Sequence, residues 1–382
     1  MKKQQQNYFM NYNIGQGGFY VGIIDEEGDR PFVFVYDCGT NSEKTFLQEA
    51  IGKANNRFML KNNNVIDILV LSHFDNDHIN GVSDLLKTNK VKKLLIPFFH
   101  TDALVLFKAS FLLNNVPKKR IENTYFIPEV AQTDNLDNDK ELDDIEEPVK
   151  RAEIIKEDDE LFGKVSKISI TDFKLKNIWK FKFKEYNSTN QKINSNFVDV
   201  IKRSIGNIEN GENVALNRSQ LKSTFEKNFE THSKRNEISL MLFHKPISEE
   251  PDSLKIQEQI YNKSNVYSSA EKNSNNFATV LTGDTSFKTK KQYEQFKKWA
   301  GTKLYLVDLP HHGSKQNIPE NSRFWTEYPL KEMKLISNSG INREHHPNEK
   351  IRKKAHETSK SYIECNEYYG FGYYIRKYEK YI

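Results

Sequence analysis

Cysteine, long apolar runs and an apolar leader are scarce or missing in this sequence. Only two of the 382 residues are cysteines, Cys38 and Cys365, and no CxxC spacing occurs. Neither a disulfide framework nor a thiolate metal site is therefore expected. The opening residues, MKKQQQNYFMNYNIGQG, contain no apolar segment typical of a signal peptide, and no run approaches the length of a membrane span. These absences predict a cytoplasmic protein without a membrane span.

The composition is that of a folded chain. Hydrophobic residues make up 37% of the sequence and charged residues 29%, while aromatic residues reach 12%, which suits a globular protein with polar insertions. A chain of this length can bury a sizeable core. The formal net charge of +5 permits an anionic partner without requiring one.

Apolar strands alternate with helical segments along much of the chain. NYFMNYNIGQGGFYVGII and PFVFVYDCGT predict an opening hairpin, and a helix and the strand VIDILVLS follow. Residues from about 100 to 235 are richer in asparagine, lysine and acidic residues, and they include the block DNLDNDKELDDIEE. We expect them to form a variable insertion or cap within a single domain spanning 1–382, with a helix over 212–231.

Aspartate and histidine residues recur directly after the apolar strands. VIDILVLS runs into SHFDNDHINGV, FATVLTGD ends in aspartate, KLYLVDLP runs into HHGS, and MKLISNSGINREHHP repeats the arrangement. In open sheets covered by helices, ligands bind beyond the carboxyl ends of the strands, so these side chains are expected to converge. Imidazole and carboxylate groups are the ligands expected for zinc, manganese or a similar divalent ion. The candidate residues are His73, Asp75, Asp77, His78, Asp284, His311, His312 and His346.

The order of these motifs resembles the metallo-β-lactamase superfamily. HFDNDH is similar to the HxHxDH signature with its second histidine replaced by aspartate, a version typical of the nuclease-like domain of ComEC-type competence proteins. The resemblance continues through NIGQGG, VYDCGT, NEISL, LTGD, HHGS and HHP, which span nearly the full chain. It implies an α/β fold, namely a four-layer αββα sandwich, here with polar insertions.

The resemblance also implies roles for the residues of the first motif. His73 and Asp75 would hold one metal ion, and Asp77 and His78 would hold the other. Asp284 of LTGD would bridge the two ions. The cofactor implied is one or two divalent ions, which could be zinc, manganese or magnesium.

Two histidine pairs leave an assignment open. His346 of HHP matches the last histidine of the second metal site, although the adjacent His345 is an alternative. In HHGS, the resemblance implies a histidine near the scissile phosphate, with Ser314 or backbone amides touching a phosphate oxygen. Either His311 or His312 could be that histidine.

One position departs from the ligand set of many superfamily members. Alignment through NEISL puts Asn236, a weak neutral ligand, where those members have a third histidine for the first metal. ComEC-like sequences commonly share this feature, and it is compatible with one tightly held ion and a second recruited alongside substrate. Asp75 adds oxygen character, which could favour manganese or magnesium over zinc.

This ligand set predicts hydrolysis by an activated water. A divalent ion lowers the pKa of water from about 15.7 toward about 7, which provides hydroxide at neutral pH. We expect in-line attack on phosphorus, with a protonated His311 or His312 donating a proton to the leaving oxygen.

The sequence leaves three functions open. The leading one is a metal-dependent phosphodiesterase, with a nuclease acting on DNA or RNA as the main case. Lysines in FKTKKQYEQFKKWAGTK and tyrosines in YYGFGYYIRKYEKYI could hold a single strand. The second is hydrolysis of another small ester, such as a cyclic nucleotide, a phosphodiester or a lactone. The third is a non-catalytic binding module with a structural metal.

Two further features have both a structural and a functional interpretation. Gly15 and Gly17 of NIGQGG could cradle a phosphate, but they are expected to permit a tight backbone path. Asp37 of VYDCGT could support the metal centre from behind its ligands or could only order a turn.

Overall fold

The structure is a computed structural model of the chain. It describes residues 5–25, 30–59, 62–98, 102–128, 153–168, 172–187, 195–228, 238–248, 253–262, 265–341 and 346–378. None of the helices in these ranges combines the length and the apolarity needed to cross a membrane.

The described strands follow one another in chain order. They are β1 (Gln6–Asn11), β2 (Gly17–Ile24), β3 (Phe32–Thr40), β4 (Val65–Val70), β5 (Lys90–Phe98), β6 (Ile121–Pro128), β7 (Glu153–Asp159), β8 (Gly163–Lys167), β9 (Asp172–Leu175), β10 (Trp179–Asn187), β11 (Ile238–Pro246), β12 (Leu254–Tyr261), β13 (Val266–Ser268), β14 (Lys272–Asn273), β15 (Ala278–Leu281), β16 (Leu304–Asp308), β17 (Lys334–Asn338), β18 (Ser361–Cys365) and β19 (Gly370–Lys377).

These strands form two sheets. The first has the order β13-β12-β19-β1-β2-β3-β4-β5-β6-β8-β7, with β14 paired to β12, and the second has the order β18-β17-β16-β15-β11-β10-β9. Each sheet contains a parallel run, from β3 to β6 in the first and from β15 to β18 in the second. The candidate ligands follow strands of these parallel runs.

Helices cover the outer face of each sheet. They are α1 (Lys44–Ala54), α2 (Asn76–Ile79), α3 (Val82–Thr88), α4 (Ala103–Leu113), α5 (Ser195–Glu209), α6 (Val214–Asn228), α7 (Lys290–Ala300), α8 (Phe324–Glu327) and α9 (Glu349–Thr358). A capping box starts α7, because the Thr289 side chain accepts from the Gln292 amide and the Gln292 side chain accepts from the Thr289 amide.

Strand β3 shows why the central strands are apolar on both faces. Val33 and Val35 pack with the helices outside the first sheet, whereas Phe34 and Tyr36 pack against the second sheet. Successive side chains of a strand point to opposite faces, so a strand covered on both sides reads as an unbroken apolar run.

Three buried clusters separate four layers. One lies between the first sheet and helices α1 to α6, one lies between the two sheets, and one lies between the second sheet and helices α7 to α9. The four-layer αββα sandwich predicted from the sequence is therefore confirmed.

The stretch from about 100 to 235, expected to be a variable insertion, contributes to both sheets. Among its described residues, β6 pairs with β5, β8 pairs with β6, and β10 pairs with β11. Helix α6 lies within the helix predicted over 212–231. The block DNLDNDKELDDIEE lies outside the described residues, and the single domain over 1–382 stays a prediction.

His244 is a buried histidine far from the candidate ligands in sequence. Its side chain is fully buried beside the rings of Phe9 and Phe34, and its Nε2 lies 2.9 Å from the Tyr20 hydroxyl. Burial lowers the pKa of His244 to about 3. The unfolded chain, with a pKa near 6.5, therefore binds a proton that the folded chain does not. The contribution of His244 to the free energy of unfolding is therefore fully present above pH 6.5 and is lost as the pH falls toward 3.

Replacing His244 by glutamine should flatten this pH dependence. Between pH 7 and pH 5 the unfolding free energy of the natural protein should fall by about 2 kcal/mol more than that of His244→Gln. The interval from the unfolded-state pKa near 6.5 down to pH 5 is about 1.5 pH units, which correspond to about 2 kcal/mol for one proton. Urea unfolding at both pH values, with chelator in all samples, measures the difference. Equal losses in the two proteins would contradict this prediction.

Candidate metal centre

The candidate ligands meet where the two sheets come together at the ends of their parallel strands. The loop after β4 carries His73 and leads into α2, and its Ser72 carbonyl accepts a hydrogen bond of 2.8 Å from the Leu240 amide of β11. The Tyr36 hydroxyl donates to the Leu240 carbonyl at 2.9 Å. These bonds hold the candidate-ligand loop, residues 71–75, against the second sheet.

One group of buried side chains consists of His73, His78 and Asp284. Nε2 of His78 lies 3.3 Å from Oδ1 of Asp284, and Nε2 of His73 lies 3.6 Å from Oδ2 of the same carboxylate. All three residues are at most 2% exposed, and their donor atoms lie within 4.8 Å of one another. Residues more than 200 positions apart in the sequence thus share one small volume.

A second group shares His78 with the first. It consists of Asp77, His78 and His312, whose donor atoms also lie within 4.8 Å of one another. Nε2 of His312 is 3.4 Å from Oδ2 of Asp77, and the His312 ring stacks on that of His78 with 5.4 Å between ring centres. The two groups are therefore adjacent and joined by one imidazole.

Three other expected ligand or phosphate-site residues lie close to these groups. Oδ2 of Asp75 is 4.0 Å from Nε2 of His73, and Nε2 of His311 is 3.5 Å from Oδ2 of Asp284. The ring of His346 lies 5.2 Å from that of His311, outside both groups. The role of His346 as the last ligand of the second site stays a prediction.

Ser314, Asn236 and His345 complete the set of residues singled out in the sequence. Ser314 is buried, and its hydroxyl oxygen accepts from the Gln316 amide at 3.2 Å. Asn236 and His345 lie outside the described residues. Substrate contacts by Ser314 and Asn236 stay predictions.

Asp37 binds Ser72 of the candidate-ligand loop and His78 of α2. Its Oδ1 accepts from the Ser72 amide at 2.7 Å, and its Oδ2 accepts from the Ser72 hydroxyl and from Nδ1 of His78, both at 2.8 Å. Nδ1 of His73 lies 2.9 Å from the Ser72 oxygen. Because the Ser72 hydroxyl donates its single hydrogen to Asp37, it accepts from His73.

These bonds set the tautomers of two histidines. His73 and His78 both carry hydrogen on Nδ1, so in the neutral rings the lone pairs of Nε2 face Asp284. A carboxylate that orients a histidine in this way is typical of metal sites. The sequence left open whether Asp37 supports the candidate ligands or only orders a turn, and the structure shows that it contacts His78 directly.

The backbone of the site is strained at three non-glycine residues. Asp37, His311 and His312 have φ angles of 56°, 48° and 56°, in the left-handed region that non-glycine residues adopt uncommonly, although Asp, Asn and His do so more often than the others. Each costs on the order of 1–3 kcal/mol. Part of the restraint at the histidine pair comes from the His311 amide, which donates to the Gly283 carbonyl at 2.9 Å.

The glycine motif NIGQGG packs against the end of β3 and the start of α2. A Cβ on Gly17, whose φ is +149°, would lie 2.2 Å from the Gly39 carbonyl oxygen and 2.7 Å from that of Asp77. A Cβ on Gly15, whose φ is +78°, would lie 2.1 Å from the Ser42 hydroxyl. The expected tight backbone path is therefore confirmed.

The clustered carboxylates of the centre favour a bound proton or cation. Burial alone would lower the pKa of His78, but the carboxylates of Asp37, Asp284 and Asp77 outweigh it and raise the pKa well above its usual range. Burial would raise the pKa of Asp284, yet the surrounding histidines hold it well below its usual range. Burial and the neighbouring His78 lower the pKa of His73 to about 3. Without a cation, a proton on His78 neutralises part of this cluster.

The buried donor atoms fit a divalent cation. Within the described residues, Nε2 of His73, His78 and His312 and Oδ1 of Asp284 have no hydrogen-bond partner. Leaving such atoms unsatisfied costs about 1–3 kcal/mol each, whereas imidazole nitrogens and carboxylate oxygens are ligands for zinc and similar ions. The residues of the two groups could therefore hold one or two divalent cations.

Sequence comparisons agree with this description. Residues 23–155 match the family model of the metallo-beta-lactamase superfamily. The matched segment contains Asp37 and the first motif with His73 and His78, while Asp284 and His312 lie beyond it. A comparison with curated proteins gave no match. The superfamily match supports a metal-dependent hydrolase that binds divalent metal ions.

Proposed function

We propose that the chain is a metal-dependent phosphodiesterase that hydrolyses its substrate with an activated water. The observation that carries this proposal is the pair of adjacent groups His73, His78, Asp284 and Asp77, His78, His312, whose buried Nε2 atoms, together with Oδ1 of Asp284, lack hydrogen bonds. Two neighbouring cation positions are typical of phosphatases and nucleases.

The residues of the chain have distinct roles in this proposal. His73, His78, Asp77, Asp284 and His312 would hold the cations, with Asp75 and His346 as further candidates. A bound divalent cation supplies a Lewis acid and makes water a nucleophile at neutral pH. The His311 side chain is 15% exposed whereas that of His312 is 5% exposed, so His311 is the one that a substrate can reach. His311 would then donate a proton to the leaving oxygen.

The motif series supports a nuclease of the ComEC-type branch as the specific case. HFDNDH, LTGD and HHGS occur in the order of that branch, and their side chains form the centre described above. DNA or RNA would then be the substrate, and a small ester is the alternative. The cytoplasmic location expected from the sequence stays a prediction.

A substrate panel tests the proposal. The purified protein, supplied with manganese, magnesium or zinc, is incubated with single-stranded DNA, duplex DNA, RNA and bis-p-nitrophenyl phosphate. We expect cleavage of bis-p-nitrophenyl phosphate and of at least one polynucleotide with added metal, and loss of both after chelation with EDTA, because the ligand atoms need a cation.

The pattern of cleavage separates the functions. Turnover of bis-p-nitrophenyl phosphate with intact polynucleotides would favour a small phosphodiester as substrate. Inactivity toward every phosphodiester, in protein shown by calorimetry to bind the metal, would contradict the phosphodiesterase and leave another ester or a binding module.

A further inference from the structure

Asn317 joins the two turns that carry the HHGS and LTGD motifs. Its Nδ2 donates to the backbone carbonyls of Asp284 and Thr285, each at 3.0 Å, and its Oδ1 lies 3.0 Å from Nδ1 of His311. The side chain is buried, with 6% exposed. The sequence analysis did not single out this residue, which lies three positions after Ser314.

These contacts determine which nitrogen of His311 carries hydrogen. A backbone carbonyl only accepts, so both contacts of Nδ2 identify it as the amide nitrogen of Asn317 and leave Oδ1 facing the imidazole. Oδ1 is an acceptor, so Nδ1 of His311 must donate. In the neutral ring, Nε2 then holds the lone pair, 3.5 Å from Oδ2 of Asp284.

Asn317 is itself held firmly in the fold. Its amide donates to the Ser314 carbonyl at 3.1 Å, and its own carbonyl accepts from the Phe287 amide at 2.7 Å and from the Ser286 hydroxyl at 3.2 Å. Hydrogen bonds thus hold both the backbone and the side-chain amide of Asn317. Its Oδ1 can therefore keep the imidazole of the strained residue His311 in one orientation.

We propose that Asn317 is a positioning residue that fixes the tautomer and direction of His311, so that protons pass between His311 and a substrate through Nε2 alone. The catalytic part of this inference rests on the proposed function. In that reaction, a P–O bond forms to water and the P–O bond to the leaving oxygen breaks. The imidazolium form of His311 gives its Nε2 proton to that oxygen and so becomes the Nδ1–H tautomer. The water releases one proton to solvent, and Nε2 takes one back from solvent, so no net proton is consumed.

A pair of variants separates positioning from loop anchoring. Asn317→Ala and Asn317→Asp both lose the amide hydrogens that bind Asp284 and Thr285, but only Asn317→Asp keeps an oxygen acceptor for Nδ1 of His311. An effect of the alanine variant that the aspartate variant rescues therefore reports on His311, whereas a shared effect reports on the loop.

The tautomer is measured directly by imidazole ¹⁵N chemical shifts in full-length protein labelled at histidine, with His311→Gln used to assign the signal. We expect a single Nδ1–H tautomer in the natural protein and in Asn317→Asp, and a mixture of tautomers in Asn317→Ala. A single unchanged tautomer in Asn317→Ala would overturn the proposal. This readout does not depend on any catalytic activity.

Kinetics test the consequence for the leaving group. Asn317→Ala should lower kcat at least about tenfold on a dinucleotide with an alcohol leaving group, and less on bis-p-nitrophenyl phosphate, whose leaving group needs little proton donation. KM should change less than twofold, and Asn317→Asp should restore kcat. Equal losses in both variants on both substrates would show a structural role only. If no phosphodiester is cleaved, the proposed function fails while the tautomer measurement still decides the positioning.

Discussion

Asp284→Asn should lower the affinity for the divalent cation by more than about 100-fold and reduce hydrolysis of bis-p-nitrophenyl phosphate at least as much. This loss exceeds the range of about 10- to 100-fold that is usual for residues behind the metal ligands. Asp284 faces three imidazoles, with its oxygens 3.3 Å from His78, 3.6 Å from His73 and 3.5 Å from His311. Asparagine keeps the shape but removes the negative charge that attracts the cation.

Isothermal titration with manganese or zinc measures this effect. Asp67→Asn is the matched control, because Asp67 is also a buried aspartate, 5% exposed, but it binds Arg30 and the Val33 amide away from the centre. We expect this control to bind the cation as the natural protein does. Normal metal binding and hydrolysis in Asp284→Asn would refute the assignment of Asp284 as a ligand, and full biological function in an inactive variant would favour a non-catalytic module.

Asp37→Asn should weaken cation binding by about 10- to 100-fold, the range typical of residues that orient metal-binding histidines. Asparagine tolerates the left-handed backbone at this position, where φ is 56°. Its amide can present only one oxygen, so it cannot accept from both the Ser72 amide and Nδ1 of His78 as the carboxylate does. One imidazole then loses its orientation, and its lone pair no longer faces the centre.

Asp84→Asn provides the comparison for this second variant. Asp84 lies on α3, where it pairs with the exposed Lys87 outside the metal centre. The same titration, together with the rate of bis-p-nitrophenyl phosphate hydrolysis, should show an effect for Asp37→Asn and none for Asp84→Asn. Similar behaviour of the two variants would mean that Asp37 only orders the turn.

Asn317, the asparagine of HHGSKQN, makes contacts that its sequence pattern does not indicate. Nothing in its spacing distinguishes Asn317 from an ordinary turn residue, and its contacts to His311 and to the LTGD turn exist only because β15 and β16 lie side by side. Asp37 was visible as a candidate because it lies in VYDCGT, one of the motifs of the resemblance, but its bond to His78, 41 positions away, requires the parallel pairing of β3 with β4.

The histidine pairs show the same limit. The resemblance implied His346 as the last ligand of the second metal site, which stays a prediction, and the fold adds that the His312 ring lies against His78 and the His346 ring beside His311. Two neighbouring histidines have the same chemistry in a sequence. Their backbone angles and the side chains that pack on them decide which ring faces the metal centre.

The stretch from about 100 to 235 shows what composition alone leaves open. Its polar, lysine-rich segments suggest an addition to the fold, yet its described strands pair in register with both sheets. A strand with one partly exposed face alternates polar and apolar residues, as β10 does in WKFKFK, so a lysine-rich composition does not exclude pairing on both sides.

The sequence by itself indicated alternating strands and helices, because apolar periodicity is local, and it placed histidine and aspartate at one edge of the sheets, because residues after parallel strands emerge at the same edge. The four-layer sandwich was implied by the resemblance of its motifs to the metallo-β-lactamase superfamily. Only the tertiary structure decided which atoms share hydrogen bonds and which are left for a cation. That choice depends on distances of about 3 Å between residues far apart in the chain, and such distances follow from packing and register, not from the order of residues.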